Sequence, residues 1–201
     1  MRANAPPPTS FTTAEYRDNT MKTSELVILL DEKGSPVGTA EKSEVHTTDT
    51  PLHLAFSCHI FSATGDVLIT RRALEKKTWP GVWTNSVCGH PGPGESMEDT
   101  IRRRARDELG MELGSITEVL PDFRYRAVDA SGIVENEICP VFVAEARSEP
   151  RPEAAEVCEW QWVKPDSLVS AVTQTPFVFS PWLVGQIEQW GPNYGFDTSV
   201  R

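Results

Sequence analysis

The sequence predicts an α/β fold of the α+β kind, a mixed β-sheet with helices packed against its faces. Three observations point there. Apolar or alternating runs closed by turn residues recur, as at Glu25–Leu30 before Asp31-Glu-Lys-Gly34. A stretch opening at Ser96 repeats Met97, Ile101, Ala105 and Leu109 at helical spacing. Two later segments, Pro165–Gln174 and Pro181–Trp190, begin with proline at a position that helices tolerate. Strands and helices in mixed order pack most simply as a sheet covered by helices. At 201 residues the chain suffices for one domain with a sizeable core.

Taken in order, residues 1–22 are rich in Pro, Thr, Ala and Asn and are expected to form a flexible tail. Residues 23–190 are expected to make a single domain and residues 191–201 a C-terminal tail. The run Glu25–Leu30, its turn and Pro36–Ala40 read as a hairpin. From Leu52 to Phe61 the chain alternates, with Leu52, Leu54, Phe56, Cys58 and Ile60 on one face, which reads as one half-buried strand. Ala63-Thr-Gly-Asp66 turns the chain into Val67–Arg71. Ser96-Met-Glu-Asp99 has the form of a capping box with Asp where Glu or Gln is usual. Gly110 is the expected C-cap of that helix. Further strands are expected over Ile116–Arg126, Ile133–Ala144 and Val157–Val163.

Composition excludes several functions. A net charge of -10 argues against a nucleic-acid partner, which needs a broad basic face. No apolar run reaches the length of a membrane span, and the N-terminus lacks an apolar signal-peptide core. Cys58, Cys88, Cys139 and Cys158 show no CxxC pairing, which argues against a zinc knuckle or a disulfide framework. Free thiols fit a reducing cytoplasm. The expected state is a monomer, with a dimer as the alternative.

The residues that carry chemistry cluster around Trp83 to Pro91, where an extended backbone would put Cys88 and His90 on one side. Cys88 alone reads as a small buried residue; beside a cation its thiolate would be favoured. Glu135 and Glu137, at i and i+2 of a strand-like run, face the same way. Two carboxylates there need either solvent or a cation, and spacing leaves both readings open. With His46, His53 and His90 they would make a donor set suited to Mn, Zn or Fe(II). Glu108 reads as an exposed helix carboxylate paired with an arginine, or with Asp107 as a ligand for a harder ion. Arg71, Arg72 and Lys76, with Arg102 to Arg106, read as a solvated charged face or as forks for phosphate oxygens. Trp182 could line a pocket and stabilise a cation there.

Gly89, Glu95 and Arg103-Arg-Ala-Arg-Asp-Glu-Leu-Gly-Met111 resemble the Nudix box, Gx5Ex7REUxEExGU, in which U is bulky and apolar. Arg104 and Asp107 replace two of its glutamates, and Ala105 stands at its apolar position. A narrower resemblance covers roughly residues 25–185. Thr70 to Pro91, the segment His46 to His53, Pro121-Asp-Phe-Arg-Tyr-Arg126, Val134-Glu-Asn-Glu-Ile-Cys-Pro140 and Phe179-Ser-Pro-Trp182 are similar to the type I isopentenyl-diphosphate isomerases.

That resemblance implies a Nudix-like mixed β-sheet sandwiched between helices. It implies reversible conversion of isopentenyl diphosphate to dimethylallyl diphosphate through a tertiary carbocation, feeding isoprenoid biosynthesis. His46, His53, His90, Glu135 and Glu137 would hold one divalent metal (Mn, Zn or Mg), and Glu108 would help bind Mg carried by the diphosphate. Cys88 and Glu137 would be the acid/base pair. Lys42, Arg72, Lys76 and Arg104 would hold the diphosphate, Tyr125 would hydrogen-bond near Glu137, and Trp182 would face the isoprenoid tail. The favoured assignment has Glu137 with Tyr125 donate a proton and Cys88 remove one from C2. The alternatives are a Nudix diphosphate hydrolase and a non-catalytic, metal-stabilised binding module, which would leave Cys88 without a task.

Overall fold

The computed structural model describes residues 25–195. The expected tail over residues 1–22 lies outside the described residues. Leu26–Leu30 (β1) and Pro36–Glu41 (β2) form the expected hairpin, closed by Asp31, whose Oδ1 accepts the backbone N–H groups of Lys33 and Ser35. A one-turn helix, Lys42–Val45 (α1), leads to His53–Leu54 (β3) and Phe56–Phe61 (β4). Next come Val67–Arg72 (β5), Trp83–Thr84 (β6), Val87–Gly89 (β7) and the helix Met97–Leu109 (α2). The strands Leu113–Leu120 (β8), Arg124–Val128 (β9), Val134–Ile138 (β10), Val141–Ala146 (β11) and Val157–Val163 (β12) follow. The helices Pro165–Gln174 (α3) and Pro181–Trp190 (α4) complete the order.

The strands divide between two sheets, of order β2-β1-β3-β10-β9 and β12-β5-β4-β11-β8, with β6 and β7 attached to β5 and β4. Three runs expected as single strands therefore split. Residues 52–61 change sheets at Ala55, and residues 133–144 change at Cys139-Pro140. The two breaks are in step, because β3 pairs with β10 and β4 with β11, both parallel. Pro140 has no N–H to continue a ladder, and its carbonyl instead accepts Ser57 N–H as β4 begins. Residues 116–126 likewise break at Pro121-Asp122, between β8 and β9.

β4 is buried on both faces rather than half-buried. Phe56, Cys58 and Ile60 pack with Ile101, Ala105 and Leu109 of α2, while Phe61 packs on the other side with Leu168 and Val172 of α3 and Leu183 and Ile187 of α4. The larger sheet is thus sandwiched between helices, and full burial of each large aliphatic side chain contributes about 1.5–3 kcal/mol. α2 is capped as expected: Ser96 Oγ accepts Asp99 N–H at 3.1 Å, and Gly110 turns left-handed at φ 60°. Beyond α4, Gly191–Asn193 form a 3-10 turn, and Tyr194, within the stretch expected to be a tail, is buried against Phe61 and His59.

Candidate active site

A cavity of about 960 Å³ opens where the two sheets meet α2 and α4. Every charged or aromatic residue that the family resemblance implies for the site lines it, except His53, which is fully buried just behind, whereas Arg71, Arg102, Arg103, Arg106 and Asp107 do not line it. β10 fixes the acidic wall. Alternation puts Glu135 and Glu137 on the same side of the strand and turns Asn136 away, where its amide donates to Thr50 O. Register then sets the neighbours of Glu137, with His53 on β3 to one side and Tyr125 on β9 to the other. His46 closes α1 and His90 follows β7 directly.

Ligand atoms of His46, His53, His90 and Glu137 lie within 4.8 Å of one another. The three ring centroids are 5.0–5.7 Å apart. His90 Nε2 is 3.0 Å from Glu137 Oε1, His53 Nε2 is 3.4 Å from the same oxygen, and His46 Nε2 is 2.9 Å from Glu135 Oε2. Four buried polar atoms nonetheless lack an aligned hydrogen bond: His46 Nε2, His53 Nε2, His90 Nδ1 and Glu135 Oε2. Orphaned donors converging in this way fit a divalent cation. Supporting bonds prepare the site. His53 Nδ1 is 2.9 Å from Pro51 O, which leaves the Nε2 lone pair bare, and Thr78 Oγ1 donates to Glu135 Oε1 at 2.9 Å.

Burial works against charge on Glu137, but His53 and His90 outweigh it and hold this carboxyl well below the usual range. Burial lowers His90 despite its Glu137 contact, whereas in His53 the pull of Glu137 overcomes burial and raises the pKa. Burial, with Glu137 and Glu135 adding to it, raises Tyr125 well above the ordinary tyrosine value. Tyr125 faces Glu137 across the ladder, yet no hydrogen bond joins its hydroxyl to either carboxylate, so the expected bond gives way to a neighbour relationship.

Cys88 comes from the other sheet, paired in register with Ser57. Its Sγ lies 3.2 Å from Ser57 Oγ and donates to Asn85 Oδ1 at 3.3 Å. Burial pushes the thiol up to about 12, while Ser57 and Asn85 pull in the opposite direction. Trp182 Nε1 donates to the same Asn85 oxygen, its ring is 5.7 Å from Tyr125, and the Arg72 guanidinium stands 5.6 Å from its centroid. Trp79, held at φ 43°, packs edge-on against Trp182.

The cationic wall is internally paired. Lys42 Nζ meets Glu25 Oε2 at 2.5 Å, Arg104 Nε donates to Glu108 Oε1 at 2.7 Å, and Lys76 pairs with Glu156. Arg72 donates to the carbonyls of Thr78 and Trp79. Glu108 is mostly buried rather than exposed, although its arginine partner is as expected, and burial raises its pKa against the pull of Arg104. Arg104 is buried rather than part of a solvated face. Glu95 and Arg103, from the Nudix-like motif, form a two-pronged pair at 2.7 and 2.8 Å that ties the loop before α2 to the helix. Sequence reasoning missed Asn85, Ser57, Gln186, Glu25 and Glu156. Gln186 carried a signal, since it is polar on the face of α4 that buries Trp182, Leu183 and Ile187.

Residues 51–183 match the NUDIX domain model. An isopentenyl-diphosphate Delta-isomerase of Kocuria rhizophila is 60% identical over 167 residues, 83% of this chain and 93% of that protein. One of Clavibacter michiganensis is 61% identical over 173 residues, covering 85% and 88%. The crystal structure of DR0079 from Deinococcus radiodurans superposes with a TM-score of 0.63 at 19% identity, over 82% of this chain and 98% of that one, which supports the fold. A MutT protein from Methanosarcina mazei does so with a TM-score of 0.54 at 19% identity, over 70% and 93%. The chain belongs to the NUDIX domain family and, within it, to the isopentenyl-diphosphate Delta-isomerases.

Proposed function

We propose that this cavity interconverts isopentenyl diphosphate and dimethylallyl diphosphate. The observation that carries the reading is that Cys88 and Glu137, set on different sheets, open into one cavity whose other wall is cationic. The unactivated alkene must gain a proton at its terminal carbon as the resulting tertiary cation loses one from C2. A chain of five carbons between two acid/base groups satisfies both demands.

Glu137, with Tyr125 beside it, serves the terminal carbon and Cys88 serves C2 in both directions, the acid of one direction acting as the base of the other. Lys42, Arg72, Lys76 and Arg104 receive the diphosphate and hold the allyl unit in place. The Trp182 ring contributes about 0.5–2 kcal/mol toward a cation over its face. That cation must be kept from water while it exists. His46, His53, His90, Glu135 and Glu137 would hold a divalent ion, Mn, Zn or Mg, and Glu108 an Mg accompanying the diphosphate; when bound, these ions supply charge neutralisation and rigidity. One domain over residues 23–190 would carry the whole site. Among the described residues no helix is long and apolar enough to cross a membrane; a cytoplasmic, monomeric enzyme acting on a small molecule completes the reading.

A diphosphate hydrolase is less well supported, because Arg104 puts a guanidinium on the helix face where the Nudix box has a glutamate. Incubation with isopentenyl diphosphate and Mg separates the two. An acid-labile allylic diphosphate is expected; phosphate release without it would favour hydrolysis.

A further inference from the structure

The Cys88 thiol ends a hydrogen-bonded chain that runs into the core. Ser57 Oγ is 3.2 Å from Cys88 Sγ, and Gln186 Nε2 donates to that same oxygen at 2.8 Å. Gln186 Oε1 lies 2.9 Å from His59 Nε2, and His59 Nδ1 lies 2.8 Å from the Tyr194 hydroxyl. Ser57, His59 and Gln186 are fully buried. The direction of the hydrogens follows from what each group can do. An amide nitrogen only donates, and Cys139 Sγ also donates to Ser57 Oγ, at 3.6 Å. With its oxygen accepting from both, Ser57 directs its own hydrogen at Cys88 Sγ.

α4 reaches the thiol by two routes. Gln186 acts through Ser57, while Trp182, one helical turn earlier on the same face, donates to Asn85, the acceptor of the Cys88 S–H. A thiol on a short side chain has three staggered positions open to it, and the one Cys88 occupies meets both partners. We infer that Ser57 is a positioning residue for Cys88, and that Gln186 holds Ser57 in the orientation that aims its hydroxyl at the sulfur.

This inference rests on the proposed role of Cys88. Misplacing a reacting group by about 1 Å costs on the order of a hundredfold in rate, so loss of the aim is read in kcat while the diphosphate contacts, and KM, stay unchanged. The test is steady-state isomerisation of isopentenyl diphosphate by the wild type and by Cys88→Ala, Ser57→Ala, Gln186→Met and the Ser57→Ala/Gln186→Met double variant. Ser57→Ala is expected to lower kcat roughly tenfold to a hundredfold with KM within about twofold. Gln186→Met is expected to fall in the same direction, and the double variant to be no worse than Ser57→Ala, because the two act as one unit. An unchanged kcat in Ser57→Ala, a loss that appears in KM, or additive losses in the double variant would overturn the inference. An inactive wild type, or a fully active Cys88→Ala, overturns the proposed function itself. An active wild type with inactive Cys88→Ala and unimpaired Ser57→Ala overturns only the positioning role.

Discussion

His53 and Glu137 sit side by side on adjacent parallel strands, with His53 Nε2 3.4 Å from Glu137 Oε1. The register of β3 on β10 therefore brings an imidazole and a carboxylate together without help from either side chain's flexibility. His90, from the second sheet, reaches the same oxygen from its own strand end. The cluster thus ties the two sheets together.

Glu137→Gln leaves His53 and His90 facing a neutral amide. Affinity for a divalent ion is expected to fall by at least ten- to a hundredfold, the cost attached even to outer partners of metal ligands. Metal content after exhaustive dialysis checks this; wild-type metal content in the variant would remove Glu137 from the site.

Arg104→Glu places a carboxylate beside Glu108 and Glu156 in the cationic wall. Charge-assisted hydrogen bonds contribute about 1.5–3 kcal/mol, so the Kd for inorganic diphosphate with Mg is expected to rise at least about tenfold. Calorimetric titration measures it, with thermal melting to show that the variant is folded. Unchanged affinity would place Arg104 outside the binding wall.

His59 makes stability fall toward acid. Burial, opposed by its bond to Gln186, lowers its pKa from 6.5 to about 4. The unfolded chain then takes up this proton first, so the contribution is intact above the ordinary value and is lost as pH falls from 6.5 to about 4. The difference corresponds to about 3 kcal/mol. Urea unfolding of the wild type at about pH 5 and pH 7 should show the decline, and His59→Leu, though less stable overall, should show a shallower one. Equal slopes would assign the acid sensitivity elsewhere.

Gly110→Ala should destabilise the chain by about 1–3 kcal/mol with little change in catalysis. An added Cβ would lie 2.7 Å from the Arg151 carbonyl oxygen, at φ 60°. A melting temperature equal to the wild type's would contradict this.

Local chemistry made much of the architecture legible in the sequence. The capping serine and terminal glycine bracket α2, and proline at the first turn marks α3 and α4. Sheet membership was not legible, because β3 and β4 form one alternating run and only their separate partners in space divide them. The spacing of Glu135 and Glu137 gave their common side, but the convergence of three histidines from distant segments on Glu137, a group that could hold a metal, was not legible. Asn85, Ser57 and Glu156 escaped notice because each acts through a partner remote in sequence, Trp182, Gln186 and Lys76 respectively.

Turnover of isopentenyl diphosphate in deuterium oxide, followed by proton magnetic resonance, tests most directly whether a thiol and a carboxylate work on one substrate from two sheets. Wild-type protein and Cys58→Ala, whose side chain lies in the core, should isomerise and carry deuterium into the methyl carbon and C2. Cys88→Ala and Glu137→Gln should each lose at least about a hundredfold in rate. Wild-type rates in either of these two variants would contradict the shared role of Cys88 and Glu137.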